Sequence, residues 1–158
     1  MRIAVFDAVL LAGGALVVAL LLLHHSRPRA RAVLRASWTL TPGVVNPAVT
    51  QATISGTVCR KGWTRTVRPP TSYTNALKLR QMRARGLRGP PSAYQEDHLI
   101  SLELGGNPTD PRNLWPEPYP RAAEVDRIEN ELNARLCSGR LTLDQAQRTE
   151  SALKHRDG

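Results

Sequence analysis

Asp97 and His98 stand side by side in the stretch YQEDHLISLELGGNPTDPRNLWPEPY, residues 94–119. A neutral imidazole near its unperturbed pKa can accept a proton from water at physiological pH. A carboxylate offers hard oxygen donors of the kind Mg²⁺ prefers. An isolated Asp-His pair is usually a surface hydrogen bond, so its neighbours decide. Further along, Asp126, Glu129 and Asn130 are spaced i, i+3, i+4 and share one face of a helix. That face either completes a cation site or is a solvated acidic surface. Between the two groups, Asn113 follows Asp110-Pro111 and is either a clamp or a turn residue.

The elements that must carry these residues are short. Leu99, Ile100, Leu102 and Leu104 alternate, which predicts a strand opened by Asp97-His98 and broken by Gly105-Gly106. Asn107 to Pro111 is a turn cluster. Asn113-Leu114-Trp115 reads as a second extended run that Pro116 and Pro118 stop, with Trp115, Pro116 and Glu117 as packing and turn elements, Glu117 alternatively a ligand, and a helix takes over from about Arg121. Neighbours on a regular strand point to opposite faces, so Asp97 and His98 serve one site only if the strand bends or ends there.

Strand, loop, strand and helix, with DH at the first strand and Asn before the second, resembles the ββα-metal motif of HNH endonucleases. The phrases DHLISLELGG, NLWPEPY, DRIENEL and LCSGRLTLDQAQ are similar to one branch of HNH-like bacterial proteins, many of them exported, over roughly Leu40 to Ala152. The resemblance implies an α+β fold with a small ββα-metal core and hydrolysis of phosphodiester bonds in DNA or RNA. It implies His98 as general base, Asp97 as a ligand of a divalent cation, and Asn113 as the residue that ties the loop to the strand. The chain departs from that pattern on the helix, where such enzymes supply a His or Asn. Residues 120–133 hold no His, and Ala123 stands near the position where related sequences carry one. The further ligand must then be Asp126, Glu129 or Asn130, with Asp126 favoured by its distance from Asn113, and oxygen donors favour Mg²⁺ or Mn²⁺. The alternative is a catalytically impaired module that binds nucleic acid or another anionic polymer at the cell envelope.

Charge is unevenly distributed along the chain. The 158 residues carry a formal net charge of +9, yet no acidic residue lies between Ala8 and Gln95. Arg80, Arg83, Arg85 and Arg88 are candidate nucleic-acid contacts within a basic run that also holds Arg60, Lys61, Arg65 and Arg68. A solubilising or membrane-facing basic surface fits the charge equally well.

Three segments follow from these shifts: residues 1–25 as signal peptide or membrane anchor, 26–39 as a basic linker, and 40–155 as the HNH-like domain. Ala8 to Leu23 is an uninterrupted apolar run at the short end of what spans a bilayer. Arg27, Arg29, Arg31 and Arg35 beyond it would keep the domain on the cytoplasmic face by the positive-inside rule. Cys59 and Cys137, the two cysteines, have the count and placement of one closing disulfide, and this favours an extracytoplasmic domain, secreted or anchored.

Within the lead-in, β-branched Val49 to Cys59 predicts a strand and alternating Gly62 to Arg68 a partner for it. Tyr73 to Arg85 predicts a helix between Pro69-Pro70 and Gly86. Trp63 and Tyr73 are either core or platforms on which nucleotides stack. Leu141 to Lys154 predicts a final helix capped by Thr142, with His155 solvated. No Walker A loop, dinucleotide glycine fingerprint, serine nucleophile elbow or zinc-type cysteine cluster is present. A monomer is expected.

Overall fold

A computed structural model describes residues 34–119 and 121–157. The apolar run, with most of the basic linker, lies outside the described residues. No described helix is long and apolar enough to cross a membrane. The architecture is mixed α+β: α1 (Trp63–Val67), α2 (Thr71–Ala84), β1 (Tyr94–His98), β2 (Leu114–Pro118), α3 (Arg121–Cys137) and α4 (Leu143–Asp157), with short 3-10 turns between them.

The longer helices begin and end where local chemistry dictates. Pro70 precedes α2, and Gly86 at φ 61° ends it, with Leu87 N–H reaching Met82 O at 2.9 Å. Gly139 at φ 74° closes α3 in the same way, through Arg140 N–H to Arg135 O at 2.9 Å. Thr142 and Gln145 form a reciprocal capping box at the start of α4: Gln145 N–H donates to Thr142 Oγ1 (3.2 Å) and Thr142 N–H to Gln145 Oε1 (2.9 Å).

The strands differ from expectation in four places, one being that the run expected to stop at Pro116 continues as β2 through Pro118. Val49 to Cys59 forms successive turns, because threonine hydroxyls capture the backbone groups a ladder would need. Thr53 Oγ1 accepts from Thr50 N–H (2.8 Å) and donates to Ala48 O (2.9 Å), and Thr57 Oγ1 donates to Thr53 O (2.7 Å). Without that partner the alternating segment after Gly62 satisfies its backbone internally as α1, burying Trp63 in the core. Finally, β1 ends at His98 instead of starting there. Leu99, Ile100, Leu102 and Leu104 are all buried, so the run has no solvent face to alternate with, and it turns into a 3-10 segment before Gly105.

β1 and β2 pair antiparallel, with Tyr94 opposite Pro118 and His98 opposite Leu114. Pro116 and Pro118 therefore lie inside β2, which a strand with one free edge tolerates at alternate positions. Register decides the faces. Gln95, Asp97, Trp115 and Glu117 share one face, against α3 and α4, while Glu96, His98 and Leu114 share the other, the side of α2.

The main core gathers Val49, Val58, Trp63, Ile100, Leu104, Leu132, Leu136 and Leu143, and a smaller one gathers Ala36, Leu99 and Trp115. His155 is buried, not solvated. Trp38 stacks on its ring at 3.5 Å, and its Nε2 lies 3.0 Å from Thr41 O, because the 34–41 lead-in folds back over α4.

Cys59 and Cys137 are joined in a disulfide, 78 residues apart, that fastens the lead-in to the end of α3. A loop of that length is worth about 4 kcal/mol in the chain-entropy picture. Cys59→Ser should lower the melting temperature by roughly 10 °C. Calorimetry of the variant beside the reduced wild type checks this, and unchanged melting in both would mean the bridge constrains nothing.

Candidate functional site

Asn113 sets the loop between the strands. Its side chain is fully buried and its Oδ1 accepts from Ile100 N–H (3.0 Å) and Val44 N–H (3.3 Å). Its Nδ2 donates to Ile100 O and Asn107 O, each at 3.0 Å. The amide thus donates twice and accepts twice, which is its full capacity. Gly106 lies against this knot so closely that a Cβ there would meet Ile100 O at 1.7 Å. The amide takes the place of a ladder for Ile100, and this is what lets β1 end at His98.

With the strand ending there, Asp97 and His98 look in different directions. Asp97 is 7% exposed and turns toward α3. One oxygen each from Asp97, Asp126 and Glu129 lies within 4.8 Å of the others. Asp126 and Glu129 line a cavity of about 410 Å³ together with Arg68, Glu103 and Asn130. Asn130 lies on its wall but donates its amide to Asp126 O at 2.7 Å, back along its own helix. His98 lies across the strand and does not line this cavity. Its Nε2 is 3.1 Å from Pro108 O, and a carbonyl can only accept, so Nε2 carries the proton and Nδ1 keeps the lone pair. No described residue hydrogen-bonds Nδ1, and the residue as a whole is 6% exposed. Burial holds the imidazole below its ordinary pKa, so it is neutral at physiological pH.

Lys154, at the end of α4, is the central group that the sequence reading missed. It is fully buried, and its Nζ donates to His98 O (2.5 Å), Glu129 Oε1 (2.6 Å) and Asp97 Oδ2 (2.8 Å), with Glu150 Oε1 at 3.3 Å. Burial disfavours its charge, but Asp97, Glu150 and Glu129 outweigh that and hold its pKa well above the usual value. Asp97 is likewise disfavoured as an anion by burial, and the Lys154 ammonium overrides this and keeps it ionised.

The other acids are not fully compensated. Burial, then the charge of Asp97, pushes Glu117 up to about 9. Both of its carboxyl oxygens are buried and have no hydrogen-bond partner among the described residues. Burial raises Glu129 well above the ordinary range and raises Glu150, which accepts Ser101 N–H on both oxygens at 3.0 Å. Glu103 is raised to about 7 by burial and then by Glu129 and Asp126. A signal was available in the sequence. Leu143, Ala146, Glu150 and Lys154 recur on one stripe of α4, so a charge pair occupies core positions.

One ammonium among this many carboxyls leaves an excess of oxygen donors that hold protons in the absence of another cation. Asp97, Asp126 and Glu129 could therefore hold a hard divalent cation such as Mg²⁺ or Mn²⁺.

The basic residues divide between two surfaces. Arg80, Arg83 and Arg88 are exposed at or beyond α2, the helix that packs on the Glu96 face of the sheet and not on the Asp97 face. Arg85 turns inward, donating to Thr41 Oγ1 (2.6 Å) and Gln81 Oε1 (3.2 Å), and burial lowers its pKa. The acidic cavity has Arg68 on its wall, and an adjoining cavity of about 240 Å³, sharing Thr64 and Glu103 with it, carries Arg60 and Lys61. Of the two candidate aromatics, Trp63 is core and Tyr73 donates its hydroxyl to Thr109 O.

The fold and site define a disulfide-bonded α+β domain with a lysine-centred acid cluster beside a pinned, neutral histidine. No family model matches the chain, and neither a curated protein nor a solved structure does.

Proposed function

We propose that the protein is a metal-dependent endonuclease of HNH type that hydrolyses phosphodiester bonds in DNA or RNA. The observation that carries this reading is the placement, at consecutive residues where β1 ends, of Asp97 in a three-carboxylate group and, on the other face, of His98 with no described hydrogen bond at Nδ1. A divalent cation bound by Asp97, Asp126 and Glu129 would supply positive charge for the phosphoryl oxygens and for the departing oxygen. Because the His98 ring lies across the strand from the carboxylates, it can take the proton of the attacking water only with the scissile phosphate at the end of β1, where Pro108 O holds the ring. The new bond joins that oxygen to phosphorus, and the bond to the leaving sugar oxygen breaks. Arg68, Arg60 and Lys61 border the acid site and are better placed than the α2 arginines to meet the flanking phosphates. The disulfide favours an oxidising, extracytoplasmic setting.

The second reading, a non-catalytic module that binds an anionic polymer, is favoured by Lys154, which already occupies one oxygen each of Asp97 and Glu129. Plasmid nicking by the purified protein separates the two. Nicking should require Mg²⁺ or Mn²⁺ and stop in EDTA, and Asp126→Ala should raise the metal concentration needed by about tenfold or more. Salt-sensitive nucleic-acid binding with no cleavage at any metal concentration would favour the binding module.

A further inference from the structure

Three carboxylates whose oxygens lie within 4.8 Å of one another repel unless a cation stands among them. The structure supplies one from the chain itself. Lys154 Nζ has three hydrogens, and its three shortest contacts use them on Asp97, Glu129 and the His98 carbonyl. Two are candidate ligands, and the third is the backbone of the candidate base. Glu150, one turn earlier on α4, fixes the next step of the chain by accepting Ser101 N–H. α4 thus grips β1, the residues just after it and α3 at the point where the acid cluster forms, and the lysine lies behind the cavity, outside its lining.

We propose that Lys154 is a built-in counter-cation: it holds Asp97 and Glu129 in ligand-ready positions in the ion-free protein, at some cost in divalent-cation affinity. It is a positioning residue and touches no substrate. This rests on the reading of Asp97, Asp126 and Glu129 as a cation site. Two consequences pull in opposite directions. Removing the ammonium leaves buried carboxylates uncompensated, so the ion-free fold weakens. It also removes a positive charge from beside the ion's position, so a divalent cation binds the folded state more tightly and restores what was lost.

The test uses the full chain, wild type and Lys154→Met, melted in EDTA and in Mn²⁺, with Mn²⁺ affinity measured by calorimetry below the melting range. Lys154→Met should melt lower than wild type in EDTA, recover most of the difference in Mn²⁺, and bind Mn²⁺ about tenfold or more tightly. Should Lys154→Met fail to fold, Lys154→Met combined with Glu150→Gln removes a negative charge with the positive one and keeps an acceptor for Ser101; the same gain in Mn²⁺ response is expected of it. A variant that melts equally low in EDTA and Mn²⁺, with affinity no tighter than wild type, overturns the counter-cation role and leaves the cation site standing. Absence of Mn²⁺ binding in the wild type and in both variants overturns the cation site, and this inference with it.

Discussion

Asn113→Ala is expected to cost about 3 kcal/mol or more of folding stability and to lower the melting temperature by roughly 10 °C or more. The side chain serves four backbone groups, Val44 N–H, Ile100 N–H, Ile100 O and Asn107 O, in a region with little access for replacement water. Truncation leaves them unpaired, and each buried orphan costs about 1–3 kcal/mol before relaxation. Lost volume alone would predict a smaller change.

Asn113→Asp separates volume from hydrogen bonding. The shape is kept and the two N–H donors still find an oxygen, but Ile100 O and Asn107 O now face an acceptor. Burial beside two carbonyls raises the pKa of the new carboxyl above its unfolded value. Its protonated form, which can donate to one of them, is thus favoured in the fold, so the variant should gain stability as pH falls through that raised pKa and lose it as pH rises. Chemical denaturation of both variants at neutral and mildly acidic pH measures this. Losses below about 0.5 kcal/mol in both would show that the loop is held by packing instead.

The three longer helices were legible in this sequence because their signals are local, whereas the short α1 was expected as a strand. Pro70 and Gly86 bracket α2, and Thr142 with Gln145 opens α4, whatever surrounds them. Strands were not, because β-branched residues favour a strand only when a neighbour accepts the pairing, and Thr53 and Thr57 spend their hydroxyls on turns instead. The candidate site divides along the same line. The i, i+3 spacing places Asp126 and Glu129 on one helical face, and they do lie beside Asp97. Lys154 reaches them only because α4 packs back across α3 and β1, a long-range contact that residue spacing cannot show. Its pairing with Glu150 was readable only as charges on an otherwise apolar stripe. His155 was hidden for the same reason, since the segment that buries it is more than a hundred positions earlier in the chain.

The basic half of the chain reads as one charged arm by composition, yet folding divides it. Arg85 is consumed internally, Arg80, Arg83 and Arg88 are exposed at or beyond α2 and do not line the acid cavity, and Arg60, Lys61 and Arg68 line it or the cavity beside it. Net charge along a sequence gives the presence of basic residues but not the side of the molecule they occupy.

His98→Ala should reduce cleavage by about 10²–10⁴-fold, the usual worth of a general base, with folding and nucleic-acid affinity retained. Only the side chain beyond Cβ is removed; the His98 carbonyl that accepts from Lys154 stays, so the acid cluster keeps its third contact. The pH profile gives an independent reading. A base must be unprotonated to act, and burial holds the His98 imidazole below its ordinary value of 6.5. Wild-type cleavage should therefore rise with pH through a midpoint below 6.5 and stay level above it, and that limb should vanish from the residual activity of His98→Ala. Arg68 and Lys154 lower the imidazole further, and Asp97 raises it, so the midpoint should also move when either cation is removed. The variant would be compared with wild type in single-turnover cleavage across pH 5 to 8. Full activity in His98→Ala, or an unaltered acidic limb, would remove His98 from the reaction and leave the acid cluster without a base at this position.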